Sequence, residues 1–503
     1  MLTIRRKARP VTTTTAVTTT ANTSPLDKFD AFLQKAHLSS PVHQREGLVW
    51  CAEKEQANKS GGIIADEMGM GKTILMLGLM VSNFKRHTLI VVPKSLLVQW
   101  TREIQDKLHH TPYVLYGSGK TKSLTAEVLA SKPIVLTTFG TCNTIGMSSE
   151  SVLHKFKFDR VIVDEAHHLR NDKTKSHIAV DTLQKDVLWL LTGTPVQNKL
   201  QDLFSLLKLL KIPCDSYKKM DDLANIIKAN MLMRKKAASS IVLPTLNKHV
   251  CGIKWKSADE QDCSKVFHQG YGTTSSGRNI QDAYNGITKH RLVAILHAQM
   301  LCIGPQLLKR KMDKYCDENE CDYSEGNDEF FSSTTKLDAV CDKIASNHVV
   351  NCTNKKLVFC HFRKEMDIIQ DNIETKGTMS VAQYHGGLSS KQRGMMIESS
   401  PDVLILQIKS GCEGLNLQQY NEVYFVSPTW NPSLESQALA RCYRMGQQKE
   451  THVYRFYMED FEEEEQEEAS EESNHVASMD SRIEMRQQEK IEMANQIDAM
   501  CVV

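Results

Sequence analysis

No apolar run in this 503-residue chain approaches the roughly 20 residues that a membrane-spanning helix needs. The longest candidates, 89–92 and 187–191, are too short and read as buried strands. Cys-x-x-Cys is absent although there are 14 cysteines. Cys316 and Cys321 come nearest to a cluster, and no histidine spacing beside them completes a zinc site. Cysteines in apolar strand-like contexts, Cys360 among them, are expected to be reduced and buried in a reducing compartment. The first 24 residues contain no acid and lack the apolar core of a secretory signal. Arg5, Arg6, Lys7 and Arg9 there precede a threonine-rich tract, which reads as a disordered basic tail that brushes DNA or directs nuclear import, ahead of a mitochondrial transit peptide. No solenoid repeat is present.

What is present is a soluble composition, 41% hydrophobic and 24% charged, on a chain long enough for two or three cores. The net charge of +2 conceals an acidic block: 459–472 holds ten acids and no base, leaving about +12 on the remainder. A basic body suits a polyanion partner, and an ordinary surface with one solvated acidic loop fits the same numbers. Candidate strands at 87–92, 133–137, 160–163 and 187–191 alternate with helical patterns; a second series follows at 356–362, 378–384, 403–408, 422–426 and 452–456. Such alternation predicts α/β lobes, each a parallel sheet covered by helices with ligands at the carboxyl ends of the strands. The expected division is a basic tail over 1–26, a first lobe over 27–236, helical protrusions and linker over 237–335, a second lobe over 336–457, an acidic loop over 458–479 and a bracing helix over 480–503.

Three stretches carry chemistry. Asp66-Glu67-Met68-Gly69-Met70-Gly71-Lys72-Thr73 follows the apolar Ile63-Ile64 and precedes a helical run, the context of a phosphate-binding loop. Glycines let backbone N–H groups reach phosphates at a helix N-terminus; Lys72 then meets the β/γ-phosphates and Thr73 ligates Mg²⁺. Asp66 stands where the usual pattern has its first glycine, so a Gly-rich turn opening a buried helix remains an alternative. Val161-Ile162-Val163 delivers Asp164 and Glu165 at a strand end, where adjacent carboxylates repel unless they serve a metal and a nucleophilic water. Asp164 is expected to hold Mg²⁺ and Glu165 to deprotonate that water, with His167 coupling to the next motif. Thr192-Gly193-Thr194-Pro195 ends the following strand, either transmitting nucleotide state or making a plain turn.

Order and wording resemble the Swi/Snf-type ATPases of helicase superfamily two: Gln44, the stretches 62–74, 89–100, 163–171, 190–198, 356–362, 384–387 and 411–417, then Trp430-Asn431-Pro432, and Gln437 through Arg441, Arg444 and Gln447. The resemblance covers about 38–457 plus the last helix. It implies two RecA-like lobes, ATP and Mg²⁺ as substrate and metal, and ATP-driven translocation along double-stranded DNA that remodels DNA–protein complexes such as nucleosomes or a stalled polymerase. It further implies a monomeric engine with no membrane partner, working in the nucleus or in the replication compartment of a large DNA virus. Gln44 matches the adenine-reading glutamine; Met68, Gly69, Met70 and Gln447 join the nucleotide set; Gln437 joins Thr192, Gly193 and Thr194 in coupling; Arg441 and Arg444 match arginine fingers. Lys94, Ser95, Trp100, Thr137, Thr138, Lys409, Ser410 and Trp430 lie on motifs that face the DNA backbone, Trp100 and Trp430 fitting a core role equally well. Gln407, Cys412, Ser427 and Ala440 depart from the pattern. A strand-separating helicase and a DNA-binding scaffold with weak catalysis are the alternatives.

Overall fold

The computed structural model describes residues 24–39, 41–56, 61–146, 151–217, 219–236, 243–269, 288, 290–319, 328–411, 415–461 and 476–501. The basic tail over 1–23, Cys412 and most of the acidic loop fall outside them. The first lobe is built on strands β1 (Gly61–Ile64), β2 (Thr88–Val92), β3 (Tyr113–Leu115), β4 (Ile134–Thr138), β5 (Phe158–Val163), β6 (Lys185–Leu191) and β7 (Met231–Leu232). They form one parallel sheet in the order β3-β4-β2-β5-β6-β1-β7. The second lobe carries β8 (Leu246–Ile253), β9 (Lys356–Cys360), β10 (Val381–Tyr384), β11 (Val403–Gln407), β12 (Glu422–Phe425) and β13 (Thr451–Met458), again parallel, ordered β10-β11-β9-β12-β13-β8.

Both sheets are buried on both faces, which is why their strands read as continuous apolar runs. Successive side chains feed opposite cores: Ile63, Val91 and Leu190 pack on one side of the first sheet, Ile64, Val92 and Leu191 on the other. In the second lobe Val358, Ile405 and Tyr424 face one way and Leu357, Leu404 and Val423 the other. The period of two is that of the pleat.

One expectation needs correction. The stretch 237–335 was expected to hold helical protrusions and a linker, with no strand of the second sheet, yet β8 lies within it, at the edge of that sheet beside β13. Its residues alternate between half-buried and exposed, with Val250 74% exposed, so an edge position leaves no continuous apolar signal. The helices Ala258–Gln269, Arg291–Ile303 and Gln306–Asn319 follow and pack through Phe267, Met300 and Leu308 onto the core of the second lobe.

The closing helix Met479–Cys501 joins the two cores. Ile483 packs with Ala298, Cys302 and Met458 of the second lobe, whereas Ile497 belongs to the core of the first. At 1.5 Å per residue its 23 residues extend about 34 Å, enough to touch both lobes.

Candidate active site

β1 runs into the loop that precedes the helix Lys72–Ser82, and Gly69 and Gly71 both adopt a φ of 85°. A Cβ on Gly71 would come 2.8 Å from Gln44 Nε2, so only glycine fits this close approach. Gln44 donates from that nitrogen to the carbonyls of Met70 (2.5 Å) and Gly71 (3.3 Å), while its buried Oε1 has no protein partner. Lys72 Nζ folds back onto the carbonyls of Asp66 (2.7 Å) and Glu67 (3.4 Å). Asp66 and Glu67 are both engaged by the segment that follows β7. The Asp66 carboxylate takes both Nε (2.9 Å) and Nη2 (2.5 Å) of Arg234, and Glu67 Oε2 accepts the backbone N–H of Lys236 at 2.8 Å. The assignment of the Asp66 side chain to the nucleotide is therefore corrected: a buried acid needs a counter-charge, and Arg234 supplies it 168 residues away, whereas Glu67 is exposed.

β5 presents Asp164 at its carboxyl end beside Glu165, whose φ of 50° is left-handed. For a side chain with a Cβ this conformation costs on the order of 1–3 kcal/mol, and it turns the carboxylate out of the strand direction. Asp164 Oδ2 accepts the indole N–H of Trp100 at 2.8 Å, and Oδ1 accepts the Glu165 backbone N–H at 2.9 Å. Burial, reinforced by the charge of Glu165, pushes the Asp164 carboxyl up to about 6. Burial acts on Glu165 in the same sense, but the hydrogen bond and charge of His167, with Lys72 and Arg441, hold it down at about 2. His167 Nδ1 lies 3.2 Å from Glu165 Oε2 and its ring stacks on His168 at 4.6 Å. Lys72 is lowered by burial against the pull of Glu165, Asp66 and Asp164.

The second lobe closes over this wall. Arg441 sits where its charge acts on both Glu165 and Lys72. The Cβ of Arg444 lies 3.3 Å from where a Cβ on Gly69 would stand. Arg444 also lines an interlobe cleft of about 480 Å³ with Gln99, Glu103 and Asn416. Gln447, expected at the nucleotide, is turned inward instead. Its Nε2 donates to the carbonyls of Gln418, Tyr420 and Cys442, and its Oε1 accepts from the N–H groups of Gln448 and Lys449. The turn at Gly446 leaves those backbone groups without ladder partners, and the side-chain amide satisfies them.

β6 ends at Thr192, whose hydroxyl accepts the Thr194 N–H at 3.1 Å; Gly193 abuts Met68, and a Cβ there would collide with the methionine Cγ at 2.6 Å. From Thr194 a hydrogen-bonded chain crosses the cleft: Gln197 Nε2 donates to Thr194 Oγ1 (3.2 Å), and Gln197 Oε1 accepts from Arg170 and from Asn431 Nδ2 (3.2 Å) of the second lobe. Neither Gln197 nor Arg170 was singled out from sequence, although both lie in matched stretches. Gln437, expected to couple, is buried with its amide nitrogen lacking a protein partner.

The residues expected to face DNA divide. Lys94 and Ser95 are exposed on the turn Lys94–Leu96; Lys409 is exposed on the helix Ile408–Gly411, in which Ser410 follows; Trp430 is 36% exposed. Trp100 is 1% exposed, so its expectation is corrected to a buried group that holds Asp164. Thr137 and Thr138 are corrected likewise. The first donates to the Leu115 carbonyl at 2.9 Å and the second pairs with Thr141 at 3.0 Å, both buried at the end of a central strand.

Thr73 at the helix N-terminus and the paired oxygens of Asp164 fit Mg²⁺, which takes one or two carboxylates and completes its shell from phosphates and water. The orphaned Gln44 Oε1 fits a donor on a bound base.

Residues 43–240 match the SNF2-related domain and residues 335–446 the helicase conserved C-terminal domain. A "Probable global transactivator" of Orgyia pseudotsugata multicapsid polyhedrosis virus is 25% identical over 449 residues, taking in 83% of this chain and 86% of the relative. A "DNA repair protein RAD5" of Candida albicans is 25% identical over 589 residues; the alignment takes in 79% of this chain and only 54% of that longer protein. The solved "Sulfolobus solfataricus SWI2/SNF2 ATPase core in complex with dsDNA" is 22% identical over 84% of this chain and 88% of its own, with a TM-score of 0.39.

Proposed function

Because the chain belongs to the Swi/Snf-type ATPases of helicase superfamily two, we propose that it is a motor that hydrolyses ATP to move along double-stranded DNA and displace proteins bound there. The observation that carries this reading is the position of Arg444, whose Cβ lies 3.3 Å from where a Cβ on Gly69 would stand, although the arginine and the phosphate loop come from different lobes.

In this reading Lys72 and the backbone N–H groups of the loop bind the phosphates, and Gln44 orients the base. Thr73 and Asp164 would hold Mg²⁺, which would supply positive charge beside the phosphates. Glu165, ionised at neutral pH, accepts a proton from water as the water oxygen bonds to the γ-phosphorus. The bond from that phosphorus to the bridging oxygen breaks, and ADP and phosphate leave. Arg441 and Arg444 stabilise the charge on the transferring group, a contribution of about 10³–10⁵ in related phosphoryl transfer. Their approach depends on closure, so each turnover drives a cycle of lobe motion. Lys94, Ser95, Lys409 and Trp430 supply exposed contacts for the DNA backbone, which fix register without reading sequence. Likeness to relatives named for DNA repair and transactivation supports work on DNA-bound proteins in the nucleus or a viral replication compartment.

Phosphate release by wild type and Glu165→Gln, on duplex and single-stranded DNA, tests the proposal. Wild type should be stimulated by duplex, with stimulation falling steeply as salt rises. Glu165→Gln should bind ATP without turnover. Absence of DNA stimulation would favour a scaffold, and robust unwinding of a forked substrate without a protein roadblock would favour a strand-separating helicase.

A further inference from the structure

Lys236 lies outside every motif considered so far, yet it bridges the phosphate loop and the arginine-bearing turn. The chain reaches it from β7, the edge strand beside β1, and backbone pairing continues past the strand: Ala65 N–H donates to the Leu232 carbonyl at 2.7 Å and Glu67 N–H to the Arg234 carbonyl at 2.9 Å. Lys236 is thereby fixed against the loop by its own N–H on Glu67 Oε2. Its ammonium stands 3.6 Å from Glu67 Oε1 and donates to the Tyr443 carbonyl across the cleft at 3.3 Å. It also lies 5.7 Å over the Tyr443 ring, and 3.6 Å from where a Cβ on Gly69 would be.

Tyr443 falls between Arg441 and Arg444, and its hydroxyl donates to the Pro244 carbonyl at 3.0 Å, so the residue that Lys236 grasps is itself anchored. A solvated surface lysine would gain little from such contacts. The Lys236 side chain is only 13% exposed, and burial outweighs the Glu67 carboxylate in lowering its pKa. A cation withdrawn from water in this way is retained by its contacts on both lobes at once, and it loses one set whenever the cleft opens.

We propose that Lys236 is a positioning residue that sets the arginine turn of the second lobe in register with the phosphate loop, so that the closed, hydrolysing state depends on its bond to the Tyr443 carbonyl. The proposal rests on the arginine-finger reading above. Misplacing a catalytic group by about 1 Å costs up to about 100-fold in rate, so loss of this bond acts on turnover and leaves nucleotide capture alone.

A double-mutant cycle at saturating duplex DNA tests it. Lys236→Met should lower kcat about 10- to 100-fold, with the affinity for a fluorescent ADP within about twofold of wild type. Added to Arg441→Ala/Arg444→Ala, it should lower kcat no further, because its effect passes through the arginines. Lys236→Gln, which keeps a donor for the carbonyl, should recover part of the rate and provides a second reading if the methionine variant folds poorly. A multiplicative loss in the triple variant, or a fall in ADP affinity at constant kcat, would overturn the inference while leaving the motor intact. If Arg441→Ala/Arg444→Ala kept full turnover, the arginine-finger reading itself would fail.

Discussion

Trp100 shows what a single hydrogen bond can do at this site. Its indole N–H is committed to a buried anion, and bonds to charged acceptors are worth about 1.5–3 kcal/mol. Trp100→Phe keeps an aromatic ring in the core, at the cost of a smaller volume, and removes the donor, so ATPase kcat/KM should fall about 10- to 100-fold and half-activation should need more Mg²⁺, while duplex affinity is unchanged. A magnesium titration alongside DNA-binding anisotropy checks this; a variant that loses DNA affinity at normal turnover would return the indole to the DNA groove. Glu365 offers a second test, remote from the chemistry. Buried at the start of the helix Arg363–Lys376, it accepts the N–H groups of His361 and Phe362, yet burial raises its carboxyl to about 7. Between about pH 4.5 and 7 the unfolded chain releases this proton before the folded one does, so stability falls as pH rises through that window. Glu365→Gln should therefore stabilise the protein by up to about 3 kcal/mol at pH 8 and by almost nothing at pH 4.5, read from urea melts at each pH.

At the scale of elements, the closing helix supplies what a neighbouring strand end lacks. Ser427 departs from the pattern of the resembled family, and a carboxylate reaches it from 53 residues further along the chain, on Asp480. Ser427 Oγ donates to Asp480 Oδ1 at 2.9 Å, and Lys336 donates to Ser427 Oγ at 3.0 Å and to Asp480 Oδ2, which also takes the Met458 N–H. Removing one member of a buried pair leaves the other charge stranded at about 3–5 kcal/mol. Asp480→Ala should lower the melting temperature sharply, and Lys336→Met/Asp480→Leu should recover most of the loss; calorimetry on the three proteins decides. The same element shows why reading stops short in the sequence. Central strands such as β5 and β11 were legible because burial on both faces leaves unbroken apolar runs, and the positions of Lys72, Asp164 and Glu165 at the ends of strands were legible because motif and strand end coincide. β3, β7 and β8 were not: two are three residues or fewer, and β8 alternates polar with apolar at an edge, so pairing with distant strands creates them. Nor does local pattern tell which way a side chain turns, which is why Thr137, Thr138 and Gln447 were placed on ligands rather than inside the fold, and why Trp100 fitted the DNA groove and the core equally well. The pairing of Asp480 with Ser427 was invisible, because only the tertiary fold brings the two together.

Across the whole molecule, the lobes meet through thin polar contacts and one continuous element. Gln197 to Asn431 and Lys236 to the Tyr443 carbonyl are single hydrogen bonds, cheap to break in each cycle at about 0.5–1.5 kcal/mol for a neutral one and somewhat more for a charged one. The helix Met479–Cys501 differs in kind. Gln487 donates to the Thr429 carbonyl and to Glu435 at 2.7 Å, and Lys490 to the Trp430 carbonyl at 2.5 Å, all in the second lobe, before Ile497 enters the core of the first. Its far end also lines a cleft of about 190 Å³ with Gly193, Thr194 and Gln197, so the strap reaches the loop that follows β6. Such an arrangement keeps the lobes tethered when the hydrogen bonds let go and limits how far they separate. Exchanging Ile497 for Asn places an unpaired amide in an apolar core, at about 1–3 kcal/mol, and should release that end while each lobe stays folded. Interlobe distances measured by fluorescence transfer should then broaden in the absence of nucleotide, duplex-stimulated kcat should fall, and ADP affinity should stay within about twofold, since the phosphate loop lies wholly in the first lobe. An unchanged distance distribution with normal stimulated turnover would mean that the helix serves the second lobe alone.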